Sequence, residues 1–139
     1  MTEFISEIKC VPHSDIDIFR ALSDMSKLEL VKDKIPETKI KSFEFDKDSC
    51  SFRVEPIGFV RFDIVERQPN KLIKLQSENL PFESTLWIQL APKDEKETKM
   101  KITVRSDVSP LIKSMISKPM QEAVDKVADA LARLPYDEI

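Results

Sequence analysis

Glycine is almost missing from this chain: Gly58 is the single one among 139 residues. Loops that cradle phosphate need several glycines for close backbone approach, so that kind of nucleotide site is excluded. One histidine, His13, and two distant cysteines, Cys10 and Cys50, give no metal-ligand spacing. Neither a metal nor another cofactor is expected. No apolar run approaches the roughly 20 residues that span a bilayer, so stable membrane insertion is not expected. Charge of one sign is lacking too, since 22 Lys plus Arg face 25 Asp plus Glu, a formal charge of -3. Lys32, Lys34, Lys39 and Lys41 come closest to a basic run, but Asp33 and Glu37 interrupt them. Nucleic acid, which leaves a basic footprint on its binders, is therefore not an expected partner. Met1-Thr2-Glu3 shows no basic start or apolar stretch of a signal peptide, so the chain is read as cytoplasmic with reduced thiols. Both cysteines are expected to behave as small buried apolar residues.

What is present is alternation. Phe4, Ser6, Ile8 and Cys10 share one face of a strand running from Phe4 to Val11, and Pro12 stops it. Ser14 is placed to cap a short helix, with Asp17 in its first turn and Ile18, Phe19 and Leu22 on its buried side. Asp24 or Ser26 caps a second, carrying Leu28, Leu30 and Val31. Period two then returns over residues 39–45, 50–55, 59–67, 72–78, 82–90 and 99–107, separated by turn residues. Gly58 marks a strained backbone position such as a bulge. Short connections make the sheet antiparallel.

After Ser109-Pro110, a good helix start, the period changes to that of a long amphipathic helix. Its apolar stripe is read as Leu111, Met115, Met120, Ala123, Val124, Val127 and Leu131. Pro119 is predicted to kink or divide it, and Asp129 with Arg133 supports its later part. No linker or repeat interrupts residues 1–139, which are read as one domain.

The stretch from Val11 to Asp24, a strand ending in proline, a polar cap and an amphipathic helix closing in Leu22-Ser23-Asp24, resembles the opening of the START-like superfamily. Phe62-Asp63-Ile64-Val65-Glu66-Arg67-Gln68-Pro69-Asn70-Lys71-Leu72 is similar to that group's mid-sheet strand, proline turn and next strand. The pattern covers nearly the whole chain and looks like the polyketide cyclase/dehydrase-type (SRPBCC) branch. The resemblance implies an α+β helix-grip fold: about seven curved antiparallel strands, two short helices after the first strand, and a long C-terminal helix gripped by the sheet. It carries over no catalytic residue, because the family has none in common. The scarcity of glycine is a departure from the family.

A gripped helix sets an apolar space against the inward side chains. From alternation, ligand-contacting positions are expected at Ser6, Ile8, Phe52, Phe62, Ser77, Ser84, Leu86, Met100, Ile102 and Val104 of the sheet. Met115, Met120 and Val124 of the helix complete the set. Such a cleft, apolar with a few orienting hydroxyls, suits a small hydrophobic or amphipathic molecule. The same side chains also suit a filled core. Two other readings stay open: a cyclase- or dehydratase-like enzyme, and an interaction module or homodimer using an outer surface with Trp87. Catalytic groups are unidentified, since His13 has no expected partner, and Asp63 and Glu66 fall on opposite faces of their strand.

Overall fold

Alternation becomes eight strands and three helical segments in the computed structural model, which describes residues 2–35, 40–54, 58–78, 80 and 82–139. The order is β1 (Thr2–Ile5), β2 (Lys9–Val11), α1 (Asp15–Leu22), a 3₁₀ segment (Met25–Lys34), β3 (Ile40–Phe45) and β4 (Ser49–Val54). Then come β5 (Gly58–Gln68), β6 (Leu72–Ser77), β7 (Ser84–Asp94), β8 (Glu97–Ser106) and α2 (Pro110–Ala132). The strands form one curved antiparallel sheet in the order β1-β8-β7-β6-β5-β4-β3, with β2 also on β8. The expected break at Pro56-Ile57 and the turn residues Asn79 and Pro81 lie outside the described residues.

The first expected strand is two, and the reason is one hydroxyl. Ile5 pairs with Thr103 and Lys9 with Met100, so four steps along one chain face three along the other. The extra residue is absorbed at Ser6. Its N–H donates to the Ile102 carbonyl at 2.9 Å, while the Ile102 N–H donates to the Ser6 Oγ at 2.9 Å. A side-chain oxygen thus stands where a main-chain carbonyl would be, and the bulge inverts parity beyond it. Phe4 and Ser6 point inward, but Ile8 is 62% exposed, Cys10 is exposed, and Val11 is buried instead. The inward placement of Ile8 and the burial of Cys10 are therefore corrected.

Ser14 caps α1 as expected, accepting from the Asp17 N–H at 3.2 Å, and Ile18, Ala21 and Leu22 are fully buried. Asp24 caps the 3₁₀ segment by accepting from the Ser26 N–H. Leu28 and Val31 enter the core from that segment, whereas Leu30 faces solvent. Gly58 has φ +102°, the strained conformation expected of the sole glycine, but it pairs with Val54 without a register shift.

Ser109 and Pro110 open α2, which continues through Pro119 rather than dividing there. The carbonyl left without a partner by that proline belongs to exposed Met115, where water can reach it. The buried stripe also differs from the expected one in its first half. Ile112 and Ile116 are half-buried and lead into buried Met120, Val124 and Ala128 at four-residue steps. Leu111 and Met115 lie one position earlier, about 100° around the helix, and are exposed. Asp129 and Arg133 pair as expected at 3.1 Å. Beyond the helix, Leu134 and Tyr136 return to the core, and the Tyr136 ring meets His13 edge-on at 5.6 Å.

Candidate functional site

A sheet that bends around a helix without touching it everywhere leaves space between them. Here that space is a cavity of about 280 Å³ between the concave face, the 3₁₀ segment and the second half of α2. Leu22, Met25, Leu28 and Ile35 close one side. Phe43 and Phe45 of β3 with Cys50 and Phe52 of β4 form a second wall, and Leu75, Leu86, Ile88 and Ile102 form the floor. Val127, Ala130 and Leu131 cover it from α2, with Lys126 and Asp129 at the rim. Lys126 is exposed, so the cavity meets solvent there.

A smaller lobe of about 50 Å³ lies alongside, bounded by Phe62, Phe82, Ser84, Val104, Met120 and Val124 among others. Phe52, Leu86, Ile102 and Val127 line both, and so partition them. An aromatic row runs along the wall: Phe45 to Phe43 at 6.1 Å, Phe43 to Phe52 at 6.0 Å, Phe52 to Phe62 at 6.2 Å. These separations fall in the range where ring pairs attract beyond their area burial.

The expected site residues divide accordingly. Phe52, Leu86 and Ile102 line both lobes, while Phe62, Ser84, Val104, Met120 and Val124 line the smaller. Five do not reach either. Ile8 and Met115 face solvent at 62% and 65% exposure, the first through the Ser6 bulge and the second through helix rotation. Met100 is fully buried in packed core. Ser6 is occupied within the ladder, also donating to the Glu7 carbonyl, and Ser77 Oγ accepts from the Ser84 N–H at 3.1 Å. Ser84 and Ser106 share a 2.8 Å hydroxyl–hydroxyl bond, and both are fully buried. The inward hydroxyls thus satisfy one another and the backbone.

Leu22, Met25, Leu28, Phe43, Phe45, Cys50 and the residues Ala130 and Leu131 were not among the expected contacts. Period two puts Cys50 with the expected Phe52, and Phe43 with Phe45, a signal that was available for these three. Cys50 is half-buried because its remaining surface faces the cavity, and those apolar surroundings, with Asp63 adding to the effect, push its thiol up to about 12. It is held as neutral SH.

A larger depression, about 410 Å³, opens at the outer side near Glu29, Lys32, Glu44, Asp46 and Arg61. Its charges are engaged nearby, Lys32 with Glu29 at 3.8 Å and Arg61 with Glu78 at 3.0 Å, as a solvated face would have them. Size alone does not make it the better site. Trp87 is also on the outer face, with Lys74 Nζ 5.9 Å and Arg105 Cζ 5.3 Å from its ring. His13 is half-buried, its Nδ1 lying 3.9 Å from an Asp137 carboxylate oxygen. Among the described residues no group of three His, Cys, Asp or Glu could hold a metal ion, and no helix is long and apolar enough to cross a membrane.

The fold is the START-like helix grip. Norcoclaurine synthase from Thalictrum flavum, in complex with dopamine and hydroxybenzaldehyde, is similar with TM-score 0.71 and 15% identity over 99% of this chain and 89% of that one. A START superfamily protein from Mycobacterium smegmatis gives TM-score 0.68 and 16% identity, covering 94% of each chain. A conserved protein from Geobacillus kaustophilus gives 0.59 and 17%, covering 94% of this chain and 90% of that one. No protein-family model matches the sequence, and no curated protein matches it.

Proposed function

We propose that this protein binds a small hydrophobic or amphipathic molecule in the cavity between sheet and α2. The observation that carries this is a space of about 280 Å³ walled by aliphatic and aromatic side chains. An engineered apolar cavity of roughly 150 Å³ stays dry and takes up benzene. Nearly twice that volume suits a two-ring aromatic or a short aliphatic chain. Norcoclaurine synthase, on the same scaffold, is described with small aromatic molecules bound, which accords with this size class. The two free thiols fit a reducing compartment such as the cytoplasm.

A bicyclic aromatic buries about as much as a Trp side chain, roughly 200–250 Å². At ~25 cal/mol per Å² that is about 5–6 kcal/mol, a dissociation constant on the order of 100 µM for an unoptimised probe. The experiment is a titration with 2-naphthol, followed by calorimetry and by amide shifts in NMR. Saturable binding with shifts at Leu86, Ile88 and Ala130 is expected, lost in Ala130→Phe, whose ring occupies the space from α2. Absence of saturable binding in wild type, or equal binding by the filled variant, refutes the reading. Cyclase- or dehydratase-like catalysis has less support, because the wall carries no acid–base pair among the described residues and its thiol is held protonated.

A further inference from the structure

We infer that the ligand is an anion: an apolar body in the cavity, with a carboxylate or similar acidic head paired to Lys126 at the rim. This rests on the ligand-binding reading above and narrows it to a chemical class. Apart from the Cys50 thiol, the ionisable groups that line the cavity among the described residues are Lys126 and Asp129, both on α2. Asp129 is already committed. One oxygen lies 3.7 Å from Lys9 Nζ and the other 3.1 Å from Arg133 Nη2, so two cations bracket it. Lys9 reaches it because the Ser6 bulge turns that side chain toward the helix.

Lys126 is different. It makes no ion pair or hydrogen bond among the described residues. Lys9, Lys126 and Arg133 thus lie near Asp129, near the Glu7 carboxylate that also approaches Lys9 at 3.6 Å, and near Asp125, which accepts from the Glu7 N–H at 3.2 Å. The hydroxyls of Ser84 and Ser106 are bonded to each other and fully buried, away from the rim where a polar head would sit. A cationic head would meet the like charge of Lys126 at the rim. A neutral head gains only a hydrogen bond from the lysine, whereas an anion gains an ion pair on a flexible stem that can swing over the opening.

The test compares 2-naphthoate with the neutral 2-naphthalenemethanol by calorimetry on the full chain. An ion pair at a solvated rim favours the anion by about 1.5- to fivefold at low salt. That preference should shrink in 0.5 M NaCl as screening sets in. Lys126→Met should bring the ratio to about one, Lys126→Arg should keep it, and Lys118→Met elsewhere on α2 should leave it unchanged. Equal binding of both probes by wild type, or a preference that survives Lys126→Met, overturns the inference and leaves the cavity reading standing. Binding of neither probe overturns both.

Discussion

Replacing Ser6 by alanine removes one oxygen from the point where the first strand changes register. Ser6 is 5% exposed and Ile102 is fully buried, so the Ile102 N–H that donates to Ser6 Oγ has no water to turn to. An orphaned buried donor costs about 1–3 kcal/mol. The second bond, Ser6 Oγ to the Glu7 carbonyl, adds little because Glu7 is exposed and its carbonyl rehydrates. The expected loss is about 2 kcal/mol, with Tm lower by roughly 6–10 °C for a chain of this length. Urea unfolding followed by circular dichroism should give a lower midpoint at unchanged slope. Amide exchange should quicken at Ile102 and its neighbours across the ladder. Ser114→Ala, which removes a hydroxyl from the exposed side of α2, should stay within about 0.5 kcal/mol of wild type. If Ser6→Ala is equally silent, the hydroxyl does not hold the bulge and the parity explanation fails.

Ser84 and Ser106 offer a test of coupling: each alanine alone strands a buried hydroxyl and should cost about 1–3 kcal/mol. The double variant should cost less than the sum by at least about 0.5 kcal/mol, so additivity in a denaturation cycle argues against the pair. Cys10, exposed, should react with a thiol reagent at pH 8 while Cys50 stays protected until urea unfolds the chain. Cys50 and Tyr136 both have raised folded-state values, each through desolvation, so the unfolded chain loses these protons first as pH rises. Their contribution is fully present below about pH 9 and is lost at roughly 1.4 kcal/mol per pH unit per group above the unfolded values of 9.0 and 10.0. Cys50→Ala should flatten the first part of that decline, and an unchanged pH profile would count against the buried neutral thiol.

Much of this architecture was legible because β5 to β8 carry uninterrupted period two: Val60, Phe62 and Ile64 are buried where alternation put them, as are Ile88, Met100, Ile102 and Val104. The first strand misled because its bulge depends on Ser6 substituting for a main-chain acceptor. Hydroxyl geometry leaves no trace in a hydrophobic pattern, so everything beyond it was read one face out. On α2 the sequence offers two adjacent apolar rows, Leu111 with Met115 and Ile112 with Ile116, and only the position of the sheet decides between them. The cavity walls were half visible. Sheet parity identified Phe52, Leu86 and Ile102, but Leu22, Met25 and Leu28 come from helical segments folded over the opening, where tertiary packing sets which side faces in.

The placement of Trp87 has a practical result for anyone who works with this molecule. Its indole looks away from the hollow, across the thickness of the pleated layer, and is flanked by two side-chain cations. Loading of the hollow should therefore leave native tryptophan emission nearly constant, and occupancy is better followed through the guest's own signal or a label on Cys10.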